Sequence, residues 1–333
     1  MKHPLKKSFL LCAACGTLLS MSSCANSAKA SADTTTSEAD SLPVVYYIKD
    51  ITPENIVKIY EALGRKAEGN NVAVKISTGE SDKSHQLDPD LIKDFVQKVN
   101  GTLVECNTAY EGSRNTTEKH LRTVEEHGYN KIAKVDIMDA EGDTIIPVNG
   151  GLHLDKNYVG KHFLDYDFLV VLSHFKGHAM GGFGGALKNV AIGIASSDGK
   201  AWIHSGGKVH DASVIWDNIA EQDVFLESMA DACKGVFDHM GDRMLFINVA
   251  NNLSVDCDCD ANAAPPVMGD LGILASLDPV ALDRASVDMV MHTDEAGKED
   301  LLERINSRHG THTLEAAEKL GLGSQKYTLV TIE

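Results

Sequence analysis

Residues 173–205, SHFKGHAMGGFGGALKNVAIGIASSDGKAWIHS, gather the densest set of chemically useful side chains in the chain. His174 and His178 stand four apart with Lys176 between them. Two imidazoles joined by a further donor suit a transition metal such as zinc, nickel or iron. His204 offers a third ligand or an acid–base group. Six of the fourteen histidines fall between residues 153 and 210, which concentrates the expectation of a site there. Gly181, Gly182, Gly184 and Gly185 would let backbone approach a ligand closely. A helix expected over residues 186–195 would then present free N–H groups to an anion, with Lys188 and Asn189 in its first turn. The stretch lacks G-K-[ST] and the register of G-x-G-x-x-G, so neither nucleotide-binding loop is present. The plain alternative is a tight connection after a strand.

A second constellation is Asp256-Cys257-Asp258-Cys259-Asp260. Thiolates beside carboxylates suit a transition metal. A disulfide from Cys257 or Cys259 to Cys106 or Cys233, or an acidic turn, would explain the same residues. The expected metal ligands are therefore His174, His178, Cys257 and Cys259. The expected catalytic groups are His178, Lys188 and His204, with Lys176, Gly182, Gly184, Gly185 and Asn189 against the ligand. At other strand ends Lys75, Glu80, Asn107, Thr108, Tyr110 and Arg114 are weaker candidates.

Positioning such groups needs strands. FLVVL at 168–172 is apolar at every position, as in a strand buried on both faces. Runs at 44–48, 72–76, 102–106, 244–249, 271–275 and 327–332 read similarly. Helices are expected from Thr52 or Pro53, over 89–99 with Asp88 as N-cap, over 115–127 stopping at Gly128, and over 280–290 with Asp278 as cap. Strands alternating with helices predict an α/β fold with a mostly parallel sheet, either as one body or as two lobes with a cleft between.

The chain has 333 residues, 43% hydrophobic and 24% charged, with a formal charge of −17. So acidic a surface repels phosphate backbones and argues against nucleic acid as a partner. Residues 1–7 are basic and 8–21 apolar and small, the layout of a secretory signal. Met21-Ser22-Ser23-Cys24 resembles a bacterial lipoprotein cleavage site, which implies a signal over 1–23 and a lipid on Cys24 anchoring the protein in the cell envelope. Cleavage near Ala28-Lys29-Ala30 is the rival. Residues 24–42 are small and polar and read as a flexible tether. The globular part then spans 43–333.

The motifs VKISTGE, ECNTAYEGSRNTTEKHL, SHFKGHAMGGFGGALKNVAIGIASSDGK, HS, NVANNLSVDCDCD and GDLGILASLDPVALDRAS recur in the order seen in DUF362 proteins. The chain resembles that family from about Val45 to Val290. Many such relatives carry two ferredoxin-type cysteine clusters after the HS position. Residues 206–243 hold only Cys233, so no 4Fe-4S cluster is expected. HAMGGFGGALK at 178–188 is also similar to a stretch of nickel-dependent lactate racemases, whose corresponding histidine and lysine belong to the active site around a nickel-pincer cofactor. That resemblance marks His178 and Lys188. Together these readings imply a metal-dependent enzyme for a small anionic or hydroxylated substrate. The alternative is a non-catalytic lipid-anchored protein that binds a metal or small ligand.

Overall fold

A computed structural model describes residues 42–333. The signal, Cys24 and all of the tether but Leu42 lie outside them. The strands are β1 (Val44–Ile48), β2 (Val72–Lys75), β3 (Gly101–Glu105), β4 (Val135–Ile137), β5 (Asp143–Pro147), β6 (Lys156–Gly160), β7 (Phe168–His174), β8 (Lys176–His178), β9 (Gly182–Gly184), β10 (Met244–Ala250), β11 (Gly272–Ser276) and β12 (Thr328–Thr331). The helices are α1 (Pro53–Ala62), α2 (Pro89–Lys98), α3 (Thr117–Glu126), α4 (Ala186–Ile194), α5 (Ser197–His204), α6 (Gln222–Met240), α7 (Pro279–His292), α8 (Lys298–Ser307) and α9 (His312–Lys319). None of these helices is long and apolar enough to cross a membrane.

Eight strands form one sheet in the order β12-β1-β11-β10-β7-β2-β3-β4, with small hairpins β5-β6 and β8-β9 beside it. Within the eight-stranded sheet every pairing is parallel except those of β11, which runs against both β1 and β10. The α/β expectation holds, and the main strands make one sheet rather than two lobes. Period-two alternation explains the continuous apolar run of β7. Leu169 and Val171 join one core with Ile194, Met229 and Leu282, while Phe168, Val170 and Leu172 join the other with Ile56, Phe95 and Val124. Full burial of each such side chain is favourable by roughly 1.5–3 kcal/mol.

The helix starts follow their caps. Thr52, Asp88 and Asp278 each accept an N–H of the first turn, and each precedes a proline that lacks one. Gly128, at φ 84°, ends α3 in the left-handed region.

Candidate functional site

β2 steps to β3 on one side of the sheet, while its other neighbour β7 steps to β10 on the opposite side. The strand order thus reverses between β2 and β7. Ligands of open α/β sheets bind at the carboxyl ends of the strands at such a point. A cavity of about 610 Å³ lies there, ample for a small metabolite. It is lined by Lys75 and Glu105 from the ends of β2 and β3, by His174, Lys176 and His178, by α4 and α5, and by residues 256–261.

His174 ends β7, and Lys176 and His178 form β8. An extended chain puts alternate residues on one side, so all three face the same space. His174 is nevertheless fully engaged. One ring nitrogen contacts Asp258 Oδ1 at 2.8 Å and the other the Asn251 carbonyl at 2.6 Å. That corrects its expected role as a metal ligand, since neither nitrogen is free. Lys176 Nζ donates to Asp258 Oδ2 at 2.7 Å, so one buried carboxylate holds both neighbours.

His178 behaves differently. Its Nδ1 accepts from the backbone N–H groups of Met180 (3.1 Å) and Gly181 (2.8 Å). Those partners assign the ring proton to Nε2, which faces Cys259 Sγ at 3.7 Å. Burial, then Lys188 and His204, push the His178 pKa well below its ordinary value. It is a neutral donor held toward the cavity. His204 has the complementary tautomer, with Nδ1 donating to the Lys200 carbonyl at 2.7 Å and the ring stacked on Phe225. Burial lowers its pKa to about 4, leaving Nε2 an acceptor at neutral pH.

Two expectations for α4 change. Ala186 N and Leu187 N donate to the buried Asp283 carboxylate at 2.7 and 2.9 Å. The helix N-terminus is therefore filled by the protein's own anion and is not a ligand site. Gly185 is required for this, because an added Cβ would fall within 3 Å of both Asp283 oxygens. Asn189 is committed as well. Its Nδ2 donates to Ser173 Oγ at 3.1 Å and reaches the carbonyls of Lys75 and Leu172, while Oδ1 accepts from Lys75 Nζ at 3.0 Å. It ties β2 to β7 and orients Lys75. Gly184 lines the cavity where the stems of Lys176 and Lys188 pass within 4 Å of an added Cβ. Gly182 lies outside the lining. At φ 80° it makes room for the backbone of Gly310 instead, so its expected contact with ligand is not made.

Cys257 and Cys259 are joined to each other in a disulfide, with Cα atoms 5.1 Å apart. The considered bridges to Cys106 or Cys233 do not form. Both of those thiols are free and buried, and burial pushes their pKa values far up. The ligand atoms of His178, Cys257 and Cys259 lie within 4.8 Å of one another, so this trio, without His174, is the group able to hold a metal here.

Residues singled out only weakly, such as Glu80 and Arg114, or not at all complete the wall. Glu105 is buried and receives Thr78 N and Oγ1 (2.9 Å each), His120 Nε2 (2.7 Å) and Arg114 Nη1 (3.2 Å). Arg114 Nε also donates to Glu80 at 2.9 Å. Lys200 Nζ donates to the Ala195 carbonyl at 2.6 Å. Trp216, 60% exposed on a short 3₁₀ turn (Ala212–Asp217), stands at the mouth. Lys200 and Trp216 carry no local sequence signal, since only the tertiary fold brings them to the cavity.

Lys188 is the exception among the lysines. No hydrogen bond or ion pair holds its amine among the described residues. The cavity keeps it in touch with solvent, yet protein surrounds it. Burial first, then Lys176, Lys75 and Lys200, lower its pKa to about 7, against a smaller opposing pull from Asp258. Burial similarly lowers Lys75 to about 8.

Sheet and cavity together define an α/β protein with a cavity lined by lysines and carboxylates at the switch point of its sheet. The chain belongs to the DUF362 family, a domain of unknown function, whose model matches residues 72–288. No curated protein matches it. Among solved structures it is similar to the lactate racemase apoprotein from Thermoanaerobacterium thermosaccharolyticum, at 16% identity and TM-score 0.42 over 75% of this chain and 57% of that one. It is also similar to a Thermotoga maritima protein, at 16% identity and TM-score 0.40 over 80% of this chain and 58% of the other. The chain thus spans less than three-fifths of either.

Proposed function

We propose that this protein is an exported, lipid-anchored enzyme that acts on a small anionic or hydroxylated substrate in the cavity beside Lys188. The observation that carries the reading is an unpartnered, largely enclosed lysine in a pocket with three more lysines, inside a chain of net charge −17. An ammonium without a partner in a cleft attracts an anion even where carboxylates line the same cavity. Lys188, half-protonated near neutral pH, can give or take a proton. His178 supplies an N–H, and His204 an acceptor nitrogen, to opposite polar features of a substrate. The lipid on Cys24 would keep this chemistry at the cell envelope.

A ligand that binds only the folded state raises the melting temperature. Small carboxylates and phosphates, tested one by one, are expected to include at least one that stabilises the protein and leaves Lys188→Ala unmoved. If no small anion shifts the wild-type melt, the reading fails. Tight retention of a stabilising anion without turnover would favour the non-catalytic alternative.

A soft transition metal fits the trio only after reduction. The chain-entropy relation gives a bridge across a sequence separation of 2 under about 2 kcal/mol, so this disulfide does little to staple the fold. Once reduced, Cys257 and Cys259 would supply two thiolates, and His178 would join through Nε2 as the neutral ring, its proton moving to Nδ1 at the cost of the contacts from Met180 and Gly181. A metal there would polarise a substrate oxygen. Zinc or nickel uptake, measured by elemental analysis, is expected after treatment with a phosphine reductant and not in oxidised protein. Cys257→Ser should abolish it. Stoichiometric metal on the oxidised protein would contradict this.

A further inference from the structure

The other three cavity lysines are each tied: Lys75 to Asn189, Lys176 to Asp258 and Lys200 to the Ala195 carbonyl. Lys188 alone is left without an acceptor among the described residues, although its stem runs beside that of Lys176 over Gly184. Four amines line one cavity, and although carboxylates line it too, none of them pairs with Lys188. A lysine so placed holds its lone pair at neutral pH, which turns a point charge into a nucleophile. The three tied lysines keep N–H donors beyond the bonds that hold them, since an ammonium has three. They would hold a carboxylate beside the free amine. A carboxylate next to an electrophilic carbonyl is the defining feature of a 2-oxo acid.

We infer that Lys188 is a covalent catalytic group that condenses with the carbonyl carbon of a small 2-oxo acid to form a Schiff base. The inference rests on the cavity being a small-anion site. The Lys188 lone pair adds to the carbonyl carbon, and the π pair moves onto oxygen. One proton passes from nitrogen to that oxygen, giving a neutral carbinolamine. The nitrogen pair then forms C=N as the hydroxyl leaves with a proton, so one water is released and no oxidant or reductant is needed. His178 and His204, which line the same cavity, would serve that oxygen as donor and acceptor. The imine that results is an electron sink for the bond next to it, which suits proton exchange or carbon–carbon cleavage at that position.

The test incubates the full chain at neutral pH with pyruvate and sodium cyanoborohydride, which reduces an imine to a stable amine, and maps the product by peptide mass spectrometry. The expected result is one reduced pyruvate adduct on Lys188, lost in Lys188→Arg and suppressed by excess lactate, which has the carboxylate but no carbonyl. Should Lys188→Arg fail to fold, the lactate competition on wild-type protein decides the question. Adducts scattered over surface lysines overturn the Schiff base, as does pyruvate that stabilises the fold without marking Lys188. That second outcome leaves the anion site standing. Absence of both adduct and stabilisation by any small anion overturns the two readings together.

Discussion

At pH 7 a neutral acylating reagent modifies Lys188 far ahead of the surface lysines. With a pKa of about 7, roughly half of its side chains are free amine, whereas a lysine near 10.4 has on the order of one in a thousand or fewer. On amine fraction alone the difference is about a thousandfold. The groups that set it face Lys188 from separate elements: Lys75 on β2, Lys176 on β8 and Lys200 on α5 push the value down, and Asp258 pushes it up. The labelling rate of Lys188 should level off just above pH 7, while surface lysines accelerate to pH 10. A Lys188 rate that climbs alongside them would refute the site's electrostatics. The linkage has a defined sign. The folded value lies below the unfolded one, so the unfolded chain binds more protons between about pH 7 and 10, and stability rises with pH across that window. A bound anion reverses the pressure and draws a proton onto the amine.

Asp258→Ala is expected to destabilise the fold by about 3–5 kcal/mol, because it strands two buried partners of one carboxylate. Burial alone would raise the Asp258 pKa. His174 and Lys176 more than offset this and hold it well below the carboxylate range. Its contribution is therefore present above the unfolded carboxyl value near 3.9 and fades only as pH falls well beneath it. Urea unfolding should show a lower midpoint at unchanged slope. A loss under about 1 kcal/mol would mean that water or another group compensates Lys176 and His174. The same substitution should loosen β8 from residues 256–260, since it removes the partner of Lys176 and leaves the contact of His178 with Cys259 as their side-chain link.

What could be read from the sequence was what local chemistry determines. The run FLVVL marked β7 because both faces of that strand meet a core. Thr52, Asp88 and Asp278 marked three helix starts because a cap acts within one turn. Ten of the eleven expected site residues in the described region line one cavity, and the exception is Gly182. The misreadings share a cause, which is a partner distant in sequence. The start of α4 looks like an open anion site until Asp283, 97 residues beyond Ala186, fills it. His174 looks like a ligand until Asp258 and Asn251 take both nitrogens. His174 and His178, four apart, come to one side through the period of two of an extended chain. Lys200 and Glu105 were missed because each becomes polar lining only when α5 and β3 close on the switch point.

The lone antiparallel strand β11 has a bearing on how the chain comes together. β1 finds its sheet neighbours only in β11 and β12, so Val45 pairs with Ser276 and Leu329, more than 200 residues further on. Synthesised before the other described strands, β1 has nothing to dock on until most of the polypeptide has followed. The cavity strands β2, β3, β7 and β10 pair among themselves and can assemble earlier. Closure of the β12-β1-β11 edge is then a late event with a large loop to close, which favours slow maturation and a long-lived partly assembled species. The first of the described strands is thus the last to be secured.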